Sequence, residues 1–245
     1  SRREGKMTEQ TIAYQGTGDL AYRERDIMDK YEIKEQLSDT ERGGQGSVFR
    51  AVRKSDGLDV VLKMYSAAEV GNWDEIFKAE KRAGRETKFL EKARKDRVPG
   101  VPELVEYGTS GKGIKRPIAV LAHIPGKSLE ETAMESNSGL TWEETLRIMD
   151  GVVSSVLYAH EDYGAQPLIH KDINPGNIKI NGFPVLMDWA AASGASTGKT
   201  LIRTYMFTKY FTAPEIMEDK PFDVKADVYS LGRVAQFMLL GDVFN

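Results

Sequence analysis

The chain has 245 residues, of which 40% are hydrophobic and 29% are charged, and its formal net charge is −3. This composition is typical of a globular protein, the small net charge provides no field for binding nucleic acid, and no apolar run reaches the roughly 18 residues of a membrane span. The sequence contains no cysteine, which excludes disulfide bonds, thiolate metal sites and a cysteine nucleophile. We therefore expect a soluble, cytoplasmic protein that binds no nucleic acid and has no membrane segment.

The first half of the chain is predicted to be rich in strands. Residues 1–29 are polar and weakly patterned, so they are interpreted as an N-terminal extension. A long, charged segment at residues 73–95 has the period of a helix. The predicted strands cover residues 31–37, 47–53, 59–65, 101–107 and 117–123.

From Ser128 onwards the pattern becomes helical. Helices are expected at residues 128–136, 141–163 and 225–240, and two short strands at residues 178–180 and 185–187. The second helix begins with Thr141, three residues before Glu144, which is the spacing of a capping box. The dipeptide Asn181-Gly182 predicts a hairpin turn between the two strands.

The strongest chemical signal is a pair of acidic motifs in this second half. One is the run HKDINPGN at residues 170–177, and the other is Asp188, which follows a short apolar strand. Asp172 could accept the proton of an attacking hydroxyl, and the oxygens of Asn177 and Asp188 are the hard ligands that Mg²⁺ prefers. A capped polar loop would explain either motif alone, but the two in this order favour a site for phosphoryl transfer.

A lysine in the first half adds a candidate phosphate contact. Lys63 ends the apolar run VVLK, and a lysine at the end of a buried strand is costly unless it is paired. ATP phosphates and a helix carboxylate would supply that pairing, with Glu86 as the first choice and Glu80 as the reserve. Taken alone, this pattern favours a surface lysine with a partly buried stem.

A glycine-rich turn precedes this lysine by one strand. It contains Gly43, Gly44 and Gly46 and is followed by Val48. Glycine lets backbone N–H groups approach phosphates without a clash from Cβ. An ordinary hairpin turn is the alternative, and the position before Lys63 is what favours a phosphate-binding loop.

These motifs, in this order, resemble the eukaryotic-type, or Hanks-type, protein kinase superfamily from about Tyr31 to the end of the chain. The run TAPE at residues 212–215 is similar to the motif that closes the family's activation segment, and DVYSLG at 227–232 is similar to the helix that anchors its catalytic loop. The resemblance implies an α+β, bilobal protein kinase-like fold. Its parts would be a β-rich N-lobe at 30–121, a hinge at 122–124 and a helical C-lobe at 125–245.

The helical C-lobe is expected to be incomplete, because the family's later helices are missing after the Asp227 helix. A truncated kinase and a compact kinase of a bacterial or phage type would each explain this.

The resemblance also implies roles for individual residues. Asp172 falls on the catalytic base, Lys63 and Glu86 on the family's ion pair, and Asn177 and Asp188 on its ligands for Mg²⁺ or Mn²⁺. Asn174 and Thr208 fall on further positions of the catalytic site. The implied ATP-binding residues are Gly43, Gly44, Gly46, Val48, Val61, Lys63, Leu121, Ala122, Ile124 and Lys179.

The hinge and the substrate position are more specific expectations. The run VLAHIPG at 120–126 resembles the hinge, so Leu121 would be the gatekeeper, and the Ala122 carbonyl and the Ile124 N–H would bind adenine. Thr208 and Pro175 match serine/threonine kinases. The resemblance therefore implies phosphate transfer to serine or threonine of a protein. The activation segment, residues 188–215, also offers candidate autophosphorylation sites at Ser193, Ser196, Thr197, Thr200 and Thr204, and a flexible polar loop is the alternative interpretation.

Several departures from the family keep other functions open. Asn174 stands where those kinases usually place a lysine near the γ-phosphate, Glu41 occupies the first glycine position of the loop, and Ala190 replaces a glycine. A pseudokinase or nucleotide-binding module is therefore one alternative. The run at 172–177 also resembles kinases of aminoglycosides and choline, which makes a small-molecule phosphotransferase the other.

Overall fold

The computed structural model describes residues 26–38, 46–65, 73–111, 115–136, 139–196 and 208–241. Five strands form one antiparallel sheet in the order β1-β2-β3-β5-β4. They are β1 (Tyr31–Ser38), β2 (Gly46–Arg53), β3 (Asp59–Tyr65), β4 (Leu104–Ser110) and β5 (Arg116–Ala122). The helix α1 (Trp73–Asp96) follows β3 in the chain and packs against β3, β4 and β5.

The two faces of β3 have different surroundings because side chains alternate along a strand. Val60 and Leu62 are fully buried on one face, in a cluster with residues of β1, β2 and β5. Tyr65 belongs to the opposite cluster, together with residues of α1 and the helical part of the chain. Lys63 lies on the same face as Tyr65, so β3 directs it towards α1.

A short 3-10 turn, Ile27–Lys30, precedes β1 in the chain and packs beside the sheet. Ile27 is only 3% exposed and packs against β4, where a Cβ at Gly108 would lie 3.0 Å from its Cδ1 atom. Residues 26–29 were expected to belong to the extension, but they pack on the sheet.

The other half of the described chain is mainly helical. Its helices are α2 (Leu129–Glu135), α3 (Trp142–Leu157), α4 (Pro214–Met217) and α5 (Lys225–Leu240), with a hairpin of β6 (Ile178–Asn181) and β7 (Phe183–Leu186). α3 packs against α5 and β7. The predicted α+β, kinase-like fold is confirmed. No helix among the described residues is long and apolar enough to cross a membrane.

Two local features of this half differ from the sequence prediction. The α-helix that begins after Thr141 ends at Leu157, and residues Tyr158–Asp162 continue it as a π turn. In the hairpin, Asn181 pairs with Phe183, so Gly182 alone forms the tip with a φ of 71°. The predicted capping box is present, since Thr141 and Glu144 bond each other's backbone N–H.

Candidate active site

Lys63 joins the sheet, α1 and the loop after β7. Its Nζ atom lies 2.9 and 2.8 Å from the two carboxylate oxygens of Glu86 and 2.6 Å from Asp188 Oδ1. The side chains of Lys63 and Glu86 are 11% and 2% exposed, whereas that of Asp188 is 42% exposed. Glu80, the reserve partner, is exposed on α1. The structure therefore places Lys63, Glu86 and Asp188 at one point.

Burial and charge act in opposite directions on this triad. Burial tends to lower the pKa of Lys63, but the charges of Asp188 and Glu86 outweigh it and raise that pKa above its usual value. Burial raises the pKa of Glu86, and the Lys63 charge offsets this only in part. Burial also acts to raise the pKa of Asp188, yet Lys63 outweighs it and lowers that pKa. Lys63 is thus a cation and Asp188 an anion near neutral pH.

Asp172 lies in the loop before β6, where two amides hold its carboxylate. Asn174 Nδ2 donates to Asp172 Oδ1 at 3.0 Å, and Asn177 Nδ2 donates to Asp172 Oδ2 at 3.1 Å. Burial and the charge of Asp188 raise the pKa of Asp172 to about 7, although both amide hydrogen bonds act to lower it. A carboxyl group with such a pKa is suited to general base catalysis near neutral pH.

The side chain of Asn174 is hydrogen-bonded within its own loop and does not extend towards the expected position of a phosphate. It is 5% exposed, its amide nitrogen donates to Asp172, and its amide oxygen accepts the backbone N–H of Asn177 at 3.2 Å. This contact also caps the 3-10 turn Pro175–Asn177. Asn174 therefore links the Asp172 carboxylate to the backbone of Asn177.

Asp227 at the start of α5 anchors the segment before Asp172. It is fully buried, and its carboxylate accepts the backbone N–H groups of His170 at 2.8 Å and Lys171 at 2.9 Å. The Nε2 atom of His160 lies 2.8 Å from the same carboxylate. The resemblance identified the anchoring Asp227, but no local pattern indicates that His160 meets it. Lys171 adopts a φ of 71°, which this anchoring holds in place.

The side chains of Asn177 and Asp188 fit the ligand set of Mg²⁺. The amide nitrogen of Asn177 bonds to Asp172, so its amide oxygen faces away from that bond and accepts no hydrogen bond within the described ranges. Asp188 Oδ1 contacts Lys63 and the N–H of Ala190, which leaves Oδ2 for a metal. No group of three or more His, Cys, Asp or Glu in the described residues could hold a metal. Phosphate oxygens and water would have to complete the coordination.

Several residues that are expected to contact the nucleotide lie on the strands next to Lys63. Val48 on β2 pairs with Lys63, and Val61 pairs with Leu121 on β5. Leu121, the expected gatekeeper, is 4% exposed. Gly46 begins β2 so close to β3 that a Cβ there would lie 1.9 Å from the Met64 carbonyl oxygen.

The expected hinge residues follow β5 directly. Ala122 is the last residue of β5, and Ile124 is half-buried two residues later. Lys179 on β6 donates from Nζ to the Gly126 carbonyl at 2.9 Å, so its head is bound beside the hinge.

Part of the predicted glycine-rich turn lies outside the described residues, namely Glu41, Gly43 and Gly44. Thr208 begins the 3-10 turn Thr208–Tyr210, of which only the backbone position is described at this residue.

Trp189 and Tyr65 add contacts that the sequence did not identify. The backbone N–H of Trp189 donates to Glu86 Oε1 at 3.1 Å, and its indole N–H donates to the Leu186 carbonyl at 3.0 Å. Its ring lies 4.1 Å from that of Phe89 on α1. The hydroxyl of Tyr65 donates to Glu86 Oε2. Because side chains alternate along β3, residues 63 and 65 share a face of the strand. This alternation in the sequence could have indicated that Tyr65 lies beside Lys63.

The comparison with protein families agrees with this geometry. The family model for the protein kinase domain matches residues 31–244. The chain belongs to the protein kinase family. The prediction of a Hanks-type kinase domain is therefore confirmed, and the cluster around Lys63 is the candidate active site of this kinase domain.

Curated relatives carry kinase names. The chain is 25% identical over 223 residues to "Serine/threonine-protein kinase fused" of Drosophila melanogaster, covering 87% of the chain and 24% of that protein. It is 30% identical over 203 residues to "Serine/threonine-protein kinase PknK" of Mycobacterium bovis, covering 82% and 17%. It is 28% identical over 222 residues to "Receptor protein-tyrosine kinase CEPR1" of Arabidopsis thaliana, covering 87% and 22%. The chain spans about a quarter or less of the length of these relatives.

Proposed function

We propose that this kinase domain transfers the γ-phosphate of ATP to a serine or threonine hydroxyl of a protein, with Mg²⁺ or Mn²⁺. The observation that carries the proposal is the meeting of Lys63, held by Glu86, with Asp188, next to the loop that holds Asp172. Phosphoryl transfer depends mainly on positioning and on neutralising charge, and this cluster provides a cation, two oxygen ligands and a base. The cytoplasmic location expected from composition stays a prediction.

Each side chain has a distinct task in this proposal. Asp188 and Asn177 would hold the metal ion, which when bound supplies positive charge to the phosphate oxygens. Lys63 would pair with the nucleotide phosphates while Glu86 fixes its direction. Asp172, with a pKa of about 7, would accept the proton of the attacking hydroxyl. The amides of Asn174 and Asn177 would keep its carboxylate aimed.

The choice of serine or threonine rests on names and on the sequence motifs. Two of the relatives above are named serine/threonine-protein kinases, and Thr208 and Pro175 match that class. A third relative is named a receptor protein-tyrosine kinase, so tyrosine is the alternative acceptor. Phosphoamino-acid analysis of the labelled product distinguishes the two.

We also propose that the segment 188–215 is an autophosphorylation site whose phosphate binds near Lys171. Lys171 is 5% exposed, and its Nζ lies 5.7 Å from the Phe222 ring centroid. Burial and then the Arg85 charge lower the pKa of Lys171 to about 8, and Arg85 Nε has no hydrogen-bond partner in the described part of the chain. Two crowded cations favour an anion such as a phosphoserine. The candidate acceptors are Ser193 and Ser196, together with Thr197, Thr200 and Thr204 outside the described residues.

The test of phosphotransfer is labelling of a generic basic protein with radioactive ATP in the presence of Mg²⁺ or Mn²⁺. Asp172→Asn keeps the shape of the side chain and should lower the rate by roughly 100-fold or more, because it removes the base. Asp150→Asn, at an exposed position on α3, is the matched control and should label normally. Mass spectrometry of the same samples locates any autophosphorylation.

Two further assays, run beside the labelling experiment, separate the alternative functions. Stabilisation by ATP in a thermal-shift assay without any phosphate transfer would support a pseudokinase, since a ligand that prefers the folded state stabilises it. Transfer to small alcohols or aminoglycosides without protein labelling would support a small-molecule kinase. Either result would overturn the proposal.

A further inference from the structure

Tyr65 is a buried tyrosine whose hydroxyl meets the ion pair of the candidate active site. It lies two residues after Lys63 on β3, on the same face of the strand, and is 1% exposed. Its hydroxyl donates to Glu86 Oε2, and the Lys63 Nζ atom lies 5.4 Å from its ring centroid. None of the kinase motifs in the sequence includes this position.

The carboxylate of Glu86 has a donor for each of its four acceptor directions. Oε1 accepts from Lys63 at 2.9 Å and from the Trp189 backbone N–H at 3.1 Å. Oε2 accepts from Lys63 at 2.8 Å and from the Tyr65 hydroxyl. Glu86 is therefore tied to β3 twice, once through an ammonium and once through a neutral hydroxyl.

The ammonium is the donor that other groups compete for. A lysine has three N–H donors, and here two contacts go to Glu86 and one to Asp188. Lys63 must give up at least one of these contacts when it also pairs with nucleotide phosphates. Among the described residues the Tyr65 hydroxyl donates to Glu86 alone. Burial and the Glu86 charge raise its pKa, so the hydroxyl keeps its proton and stays a donor.

We propose that the Tyr65 hydroxyl is a positioning group that holds Glu86, and with it α1, against β3 while Lys63 shares its donors with the nucleotide. A tyrosine suits this task because its ring is packed and has only two side-chain torsions, so the position of the hydroxyl is fixed. The arrangement of Glu86 and Lys63 would then persist without help from modification of the segment 188–215. This inference rests on the proposed phosphotransfer for its kinetic test only.

The kinetic test compares Tyr65→Phe with Tyr31→Phe. Phenylalanine keeps the ring and removes only the donor. Tyr31 is the matched control, since it is 4% exposed and also donates to a carboxylate, that of Glu106 on β4. A hydrogen bond to a charged group changes an equilibrium by roughly tenfold or more, so kcat/KM for ATP should fall about tenfold in Tyr65→Phe and less than about twofold in the control.

A double-mutant cycle separates positioning from packing. In a Glu86→Ala background, which removes the acceptor of this hydrogen bond, Tyr65→Phe should have a much smaller effect on kcat/KM. An equal loss in both backgrounds would assign the effect to packing of the ring and would overturn the proposal.

Hydrogen exchange tests the same contact without any activity. In Tyr65→Phe, the amides of α1 around Glu86 and the amide of Trp189 should exchange faster than in wild type, whereas Tyr31→Phe should leave them unchanged. Unchanged exchange in Tyr65→Phe would overturn the inference whether or not the protein transfers phosphate. Faster exchange in a protein that transfers no phosphate would uphold the positioning contact and count against the proposed function alone.

Discussion

Lys171 has a nearly buried ammonium group in the kinase domain. Replacing this residue measures how much the burial of that charge costs in the free energy of unfolding. The residue is 5% exposed, its ammonium lies over the Phe222 ring, and its backbone N–H donates to Asp227. Burial and the nearby Arg85 charge lower the pKa of Lys171 to about 8, against the attraction of Asp227. The folded state therefore disfavours the charged form of this lysine.

The direction of the pH dependence follows from this difference. The unfolded chain keeps the ordinary pKa of 10.5, so between about pH 8 and 10.5 it binds this proton more tightly than the folded state does. The free energy of unfolding must then rise with pH across that window. From about pH 7.5 to about pH 9.5 the contribution of Lys171 amounts to about 2 kcal/mol. A phosphate bound beside Lys171 would raise its pKa and reduce this contribution.

Urea unfolding of dephosphorylated wild type and Lys171→Met at the two pH values provides the measurement. Methionine has a similar length and no charge, and every other titrating group is common to both proteins, so the difference between them isolates Lys171. We expect the wild type to gain about 2 kcal/mol relative to Lys171→Met on going to the higher pH. If both proteins change in parallel, the reasoning from burial is refuted.

Two further predictions concern stability. Asp227→Asn should lower the free energy of unfolding, measured by urea unfolding, by about 3 kcal/mol. The reason is that a neutral amide cannot replace a buried carboxylate that accepts three hydrogen bonds. A loss below about 1 kcal/mol would contradict the anchoring role. Gly151→Ala on α3 should destabilise by about 1–3 kcal/mol, because its Cβ would lie 2.4 Å from Pro184 Cγ. Gly232→Ala on α5 meets nothing within 4 Å and should stabilise by about 0.5–1 kcal/mol, so equal shifts in melting temperature would refute the packing argument.

The sequence predicted the type of each major element but not where every element ends. The prediction of β3 agrees with Asp59–Tyr65, because its strand pattern is a local property of the chain. The helix α3 was predicted to reach residue 163, yet it changes to a π turn at Tyr158. Tyr158 bonds Asp96 on α1 at 2.7 Å and His160 meets Asp227, so contacts with remote helices set that end. Local periodicity contains no information about such contacts.

For the candidate active site, the sequence by itself determined which chemical groups are present and in what order, because an ammonium, a carboxylate or an amide is fixed by residue type. Only the tertiary structure decided that Lys63 meets Asp188, 125 positions away, and that Tyr65 completes the bonds to Glu86. It also decided the pKa of Asp172, since burial and the charge of Asp188 raise that pKa. The distances between these groups and the burial of each group depend on segments that come together only when the chain folds. For this reason only the folded chain brings the separate groups into one site.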